Sequence, residues 1–153
     1  MPMVDDRDGV TLRAVQVADL RAILAELEQF WDGRDMAFLH QALYVHEFGQ
    51  TSVLAERDGH IAGYMLGFVG EDGSGYIHAV AVRRGERGRG LARQLYERFA
   101  ELVRSRGARG LKAITHPGNE GSRAFHEALG FSVERVENYS PSGGARLVFR
   151  REL

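Results

Sequence analysis

Six residues, Arg87-Gly88-Arg89-Gly90-Leu91-Ala92, have the types and spacing to hold a diphosphate. They lie between a strand-like run, Ile77-His78-Ala79-Val80-Ala81-Val82, and a helical run from Arg93 to Arg104. A turn feeding a helix N-terminus presents free backbone N–H groups, and the helix dipole favours an anion there. Gly88 and Gly90 put no side chain between backbone and phosphate, while Arg87 and Arg89 add positive charge. Two nucleotide-binding patterns each fail on a named residue. Gly85-x-x-x-x-Gly90 is followed by Leu91-Ala92, where a P-loop needs Lys and then Ser or Thr. Gly88-x-Gly90 has Arg93 at the third glycine position, which a dinucleotide fold keeps small for close helix packing. A diphosphate cradle of another kind remains, against the alternative of a glycine-rich loop with a solvated arginine face.

The cradle needs a strand in front and a helix behind. Tyr76 to Arg83 is apolar and β-branched enough for the strand, and Leu91, Leu95, Phe99, Leu102 and Val103 recur on one helical face. Upstream, Val10 to Val15 alternates as a first strand, and Asp19 is the expected N-cap of a helix with Leu20, Ile23, Leu24 and Leu27 on its apolar face. A turn-like break from Phe30 to Asp35 carries the single tryptophan, and a second helix is predicted from Met36 to Phe48. Ser52–Arg57 and His60–Val69 read as strands joined at Asp58-Gly59, so three consecutive antiparallel strands lead into the cradle. Gly110–Thr115 follows as a buried strand, and Asn119 caps a short helix through Leu129 that Gly130 stops. Phe131–Glu137 and Ala145–Glu152 are the last strands, and residues 1–153 read as one domain without repeat or linker.

Composition narrows the function. A chain of 153 residues can bury one core without staples. It contains no Cys, so neither a disulfide framework nor a thiolate nucleophile is available. Its N-terminal stretch has no apolar run, and no segment approaches the roughly 20 apolar residues that span a bilayer. A soluble, intracellular, cytoplasmic protein without a membrane partner is expected. The net charge of -1 argues against a general nucleic-acid binder. Arg83, Arg84, Arg87, Arg89 and Arg93 nevertheless meet only Glu86 in their stretch, a local excess that suits a small anion. Lys112 is the only lysine, so cationic work falls to arginine.

Arg87-Gly88-Arg89-Gly90-Leu91-Ala92 resembles the acetyl-CoA-binding motif of the GNAT superfamily of N-acetyltransferases, Gln/Arg-x-x-Gly-x-Gly/Ala, at each fixed position. Val80-Ala81-Val82 matches the strand that precedes this motif, in register. Asn119 followed by Ala124-Phe125-His126-x-x-Leu129-Gly130-Phe131 is similar to the second block of that family, in which a Tyr usually stands where this chain has His126. The likeness spans about Ser52 to Phe131. It implies an α+β fold with helices layered on a mixed, mostly antiparallel sheet of six to seven strands. That sheet would be splayed between its fourth and fifth strands, with acetyl-CoA as co-substrate in the gap. Val80, Val82, Arg87, Gly88, Arg89, Gly90, Leu91, Ala92, Asn119 and Ser122 are then the expected cofactor residues.

The same resemblance implies the chemistry. An alkyl amine has a pKa of about 10 and must lose a proton before it attacks. Family members often carry Glu two residues before the Val80 position. Here His78 stands there, expected on the same strand face as Val80 and Val82, and an imidazole with a pKa near 6.5 can accept the proton. The alternative for a lone strand histidine is a satisfied structural group. His126 takes the position of the family's general acid, expected beside rather than within the apolar side of its helix; its alternative is packing. Trp31 and Tyr44 fall in the region that forms the acceptor site in the family, against the alternative of core aromatics. His116 is a third histidine, but no metal-ligand spacing links the three, so no metal is expected. The reading is an acetyl-CoA-dependent N-acetyltransferase acting by direct attack on a small-molecule amine, with a protein amine as a second acceptor class and a homodimer compatible with the family. The rivals are a non-catalytic acyl-CoA sensor and a nucleic-acid module using the arginine patch.

Overall fold

The computed structural model of the chain describes residues 9–153, so the reading of the N-terminal tail lies outside the described residues up to Asp8. Seven strands form one sheet: β1 at Thr11–Arg13, β2 at Val53–Arg57, β3 at His60–Val69, β4 at Gly75–Val82, β5 at Gly110–Thr115, β6 at Ser132–Val136 and β7 at Arg146–Glu152. Their order across the sheet is β1-β2-β3-β4-β5-β7-β6, and every pair is antiparallel except β4 with β5. The parallel pair meets only at Gly75, Tyr76 and Ile77. Beyond Ile77 the two strands part, which opens the splay expected between the fourth and fifth strands. Asp58 and Gly59 both have positive φ, 50° and 80°, the backbone that a two-residue hairpin turn requires.

Helices cover both faces, and each face has its own core. On one face lie α1 (Val17–Ala25), α2 (Leu27–Trp31) and α3 (Leu43–His46), where Leu20, Ile23, Phe30 and Trp31 pack on Leu54, Tyr64, Leu66, Ala79 and Ala81. On the other lie α4 (Leu91–Arg104) and α5 (Glu120–Ala128), with Leu91, Leu95, Phe99 and Val103 packed on Val53, Met65 and Ile77. Covered from both sides, β3 is buried without interruption from Ile61 to Gly67. At Gly67 α4 comes so close that a Cβ would lie 2.6 Å from Phe99 Cε1 and from the Tyr76 carbonyl oxygen. Only glycine fits between helix and strand there.

Three local expectations are corrected. Asp19 does not cap α1. Gln16 does, and Asp19, three positions in, accepts the Gln16 N–H at 2.7 Å while pairing with Arg13. Leu24 turns to solvent at 42% exposure rather than joining the apolar face. The helix predicted from Met36 to Phe48 is broken into a 3₁₀ turn at Ala37–Leu39 and the four-residue α3. His40 causes the break, because its ring is drawn down to Tyr64 and its backbone leaves helical geometry (ψ 60°).

A fourth correction, of register, matters for function. In the β3–β4 ladder Leu66 faces Ala79 and Gly67 faces Ile77, so His78 is an extra residue in a β-bulge. The bulge rotates the strand by one residue. Val80 and Val82 pack toward α4, whereas His78 meets Leu39 and Tyr44 on the face of α1 to α3. His78 therefore does not share a face with Val80 and Val82.

Candidate active site

The cradle is built as the sequence implies, but its charges are arranged differently. Gly88 and Gly90 have φ of 80° and 77°, and Gly90 is the N-cap of α4 with no side chain capping the helix. The first helical bond runs from Gln94 N–H to the Gly90 carbonyl, so the amides of Leu91, Ala92 and Arg93 precede the ladder. Val82, Gly88, Gly90, Leu91, Ala92, Arg93 and Phe125 line a pocket of about 390 Å³ in front of them. Uncapped amides, positive-φ glycines and an apolar wall fit an acyl-CoA diphosphate followed by its pantetheine arm.

Arg87 and Arg89 do not supply free charge. Arg87 Nη1 pairs with Asp32 at 2.9 Å, Nη2 donates to the Phe30 carbonyl and Nε to the Val82 carbonyl. It ties the cradle to the end of α2, where Asp32 has left-handed geometry (φ 55°) and also receives Arg84. Arg89 faces Glu86, a carboxylate only 5% exposed that Arg57 also holds at 2.9 Å. Arg83 pairs with Glu26. The exposed cation on the pocket wall without such a partner among the described residues is Arg93, which sequence reasoning counts only as part of a patch.

Asn119 and Ser122 lie away from this pocket wall. Asn119 caps α5, its Oδ1 accepting the Ser122 N–H at 3.1 Å and its Nδ2 donating to Thr115. They set the helix from which Phe125 reaches the pocket. One turn further, His126 is buried (6% exposed), stacked on Phe149 with ring centroids 4.2 Å apart. Its Nδ1–H donates to the Ser122 carbonyl at 2.7 Å, so Nε2 accepts the Tyr96 hydroxyl at 2.8 Å. Burial holds its pKa below the ordinary histidine value. The expected position beside the apolar side is thus corrected: the ring is inside the core, with both nitrogens engaged.

Trp31 is core as well. Its indole N–H donates to Tyr64 Oη at 2.7 Å, Tyr64 donates to His40 Nε2 at 2.6 Å, and His40 Nδ1–H donates to the Met36 carbonyl. Every polar atom of this buried chain is satisfied, and it pins the 36–40 turn to β3. Trp31 is thus placed as the core aromatic that was the alternative to an acceptor contact. Leu39, in the pinned turn, accepts His78 Nε2–H through its carbonyl at 3.0 Å. The tautomer follows: Nδ1 carries the lone pair, facing Tyr44 Oη at 3.3 Å, with the two rings stacked 4.1 Å apart. Burial lowers the pKa of His78, the Leu39 carbonyl opposes this, and nearby His40 lowers it further. His78 and Tyr44 are brought together, at the first residue of β4 beyond its pairing with β5. Nothing in the residue types announces the Leu39 carbonyl or the Tyr64–His40 relay.

The profile of the acetyltransferase (GNAT) family matches residues 17–131 of the chain. Over 132 residues the chain is 31% identical to an L-2,4-diaminobutyric acid acetyltransferase of Nocardia farcinica, covering 82% of this chain and 67% of that protein. A crystal structure of a GNAT-family protein from Desulfovibrio desulfuricans superposes with a TM-score of 0.79 at 25% identity, over 94% of this chain and 98% of the other. YncA of Salmonella typhimurium, solved with its cofactor acetyl-CoA, shares the fold with a TM-score of 0.70 at 20% identity, each chain covered to 95%.

Proposed function

The chain belongs to the acetyltransferase (GNAT) family and is an acetyl-CoA-dependent N-acetyltransferase, and from that premise we propose that it acetylates a small primary amine with His78 as base. The observation that carries this reading is the His78 imidazole, anchored through Nε2 and accepting at Nδ1 from the half-buried Tyr44 hydroxyl, where β4 leaves β5. Acetyl-CoA supplies the acetyl group as an activated thioester. The amides of Leu91, Ala92 and Arg93 and the Arg93 guanidinium suit its diphosphate, while the edge of β4 that β5 leaves at Val80–Val82, apart from the Val82 carbonyl that Arg87 holds, offers peptide groups to the arm. A β4 N–H there can polarise the acyl carbonyl.

Without Cys the amine attacks directly, in a ternary complex. His78 Nδ1 takes its proton, directly or through Tyr44 Oη or water, and the Leu39 carbonyl steadies the cation that forms. The departing thiolate has a thiol pKa of about 8.5 and takes its proton from water, so His126 serves packing rather than proton transfer. The named substrate of the Nocardia relative, a small amino compound, supports the choice of a small acceptor.

Release of free CoA thiol from acetyl-CoA against a panel of amines and short peptides tests the proposal. Turnover of a small amine is expected, falling by about 10²–10⁴-fold in His78→Ala. Acetyl-CoA bound in calorimetry with no amine consumed would sink it and favour an acyl-CoA sensor.

A further inference from the structure

A strip of aromatic rings leads away from His78, and proton transfer has no need of it. From the His78–Tyr44 stack the rings continue to Phe48 at 6.2 Å and Phe68 at 6.4 Å from Tyr44. Phe48 and Phe68 are 5.0 Å apart, and Phe68 and Tyr76 5.2 Å. α3 with the residues just after it, β3 and β4 each contribute. The strip is not sealed: Tyr44, Phe68 and Tyr76 are half-buried and Phe48 reaches 36% exposure. Tyr139, at 48% exposure on the connection between β6 and β7, lies near enough to help raise the Tyr76 hydroxyl to about 12, after burial. Phe38 and Leu43, at 66% and 40%, belong to the same 37–48 segment.

Next to His78 the strip presents rings, and charged side chains enter at Phe48, which shares a cavity wall with His46, Glu47 and Arg106. Burial raises the Tyr44 and Tyr76 hydroxyls and lowers the His78 imidazole, as expected of a strip made of packed rings. Asp72, on the β3–β4 turn, is held by Lys112 and Arg150. An amino acid with a second ammonium would lay two further charges on the rings nearest His78, Tyr44 and Phe68. An aryl or alkyl chain carries none, and the ring faces suit it.

We propose that Tyr44, Phe48, Phe68 and Tyr76 select the acceptor, a primary amine on a short aromatic or apolar chain in preference to a diamino acid. The inference rests on the reading of His78 as the base of amine acetylation: the nitrogen sits at His78 and the chain lies along the rings.

Steady-state kinetics with 2-phenylethylamine, n-hexylamine, ethylamine, L-2,4-diaminobutyrate and a Phe-Gly-Gly peptide test it. The phenyl and hexyl amines are expected to exceed ethylamine and diaminobutyrate in kcat/KM by about tenfold or more. Phe48→Ala, a change at an exposed position, is expected to raise KM for 2-phenylethylamine about tenfold more than for ethylamine, and Phe48→Tyr to restore it. A Phe-Gly-Gly rate above that of the free amine keeps the selection by rings and moves the source of the amine to a peptide N-terminus. Diaminobutyrate matching or beating 2-phenylethylamine overturns the selection while leaving His78 as base. So does a Phe48→Ala effect equal for all amines. No consumption of any amine overturns the underlying acetylation and this inference with it.

Discussion

Burial keeps the His78 imidazole neutral near pH 7, so its Nδ1 lone pair is present when an amine arrives. The activity is therefore expected to fall on the acid side with an apparent pKa below 6.5, and His78→Ala to lose that limb along with most of kcat; a pH profile of kcat/KM checks both. His126 gives the opposite expectation. His126→Phe keeps the stack on Phe149 but strands the buried Tyr96 hydroxyl, at a cost of about 1–3 kcal/mol, with kcat changed little. Adding Tyr96→Phe should recover much of that loss, and a thermal-denaturation cycle of the four proteins measures the coupling. At this scale the sequence is half legible. The offset of His78 from Val80 marks it as a candidate, but the bulge that turns it toward Tyr44 is set by how β3 and β4 pair, which residue types do not encode. The lone tryptophan likewise looks like a site residue until Tyr64, itself bonded to His40, is seen to accept its N–H.

Elements whose signals are local were the readable ones. The turn at Asp58-Gly59, the Asn119 cap, the Gly130 stop and the apolar face of α4 each depend on residues adjacent or one turn apart, and each forms where expected. The 36–48 segment was unreadable because its course depends on His40 reaching a tyrosine 24 residues away. The cradle divides the same way: its glycines are legible, its ion pairs with α2 are not. Arg93→Ala is expected to raise KM for acetyl-CoA by about tenfold with a smaller effect on kcat, since a charge-assisted phosphate contact is worth roughly 1.5–3 kcal/mol. Asp32→Gly keeps the left-handed backbone and removes the carboxylate, so it tests the ties of Arg87 and Arg84 to α2 together. Packing of α4 on the sheet is tested by Gly67→Ala, expected to lose about 1–3 kcal/mol in denaturant unfolding because Phe99 and a strand carbonyl are both in the way.

The molecule as a whole should be acid-sensitive. His40, His78 and His126 all have folded pKa values lowered by burial. Between those values and 6.5 the unfolded chain binds more protons, so their stabilisation is present above about pH 6.5 and lost as pH falls through the folded values. Melting temperature followed from pH 8 to 5 (roughly) should decline over this window, and less steeply in the double variant lacking His126 and Tyr96 hydroxyl. Family and fold were legible at this scale because two motifs, 27 residues apart, bracket one helix and one strand of the sheet. The global charge pattern was not. Arg83, Arg84, Arg87 and Arg89 share the carboxylates of Glu26, Asp32 and Glu86, so a turn that looks polycationic in sequence projects a weaker field than its residue types suggest. Encounter with an anionic co-substrate is then steered less than the count of arginines implies. In stopped flow its association rate should change by less than about threefold as the Debye length shrinks from ~30 Å to ~10 Å, and Asp32→Asn, by unmasking two guanidinium groups, should make the same rate faster and markedly more dependent on ionic strength.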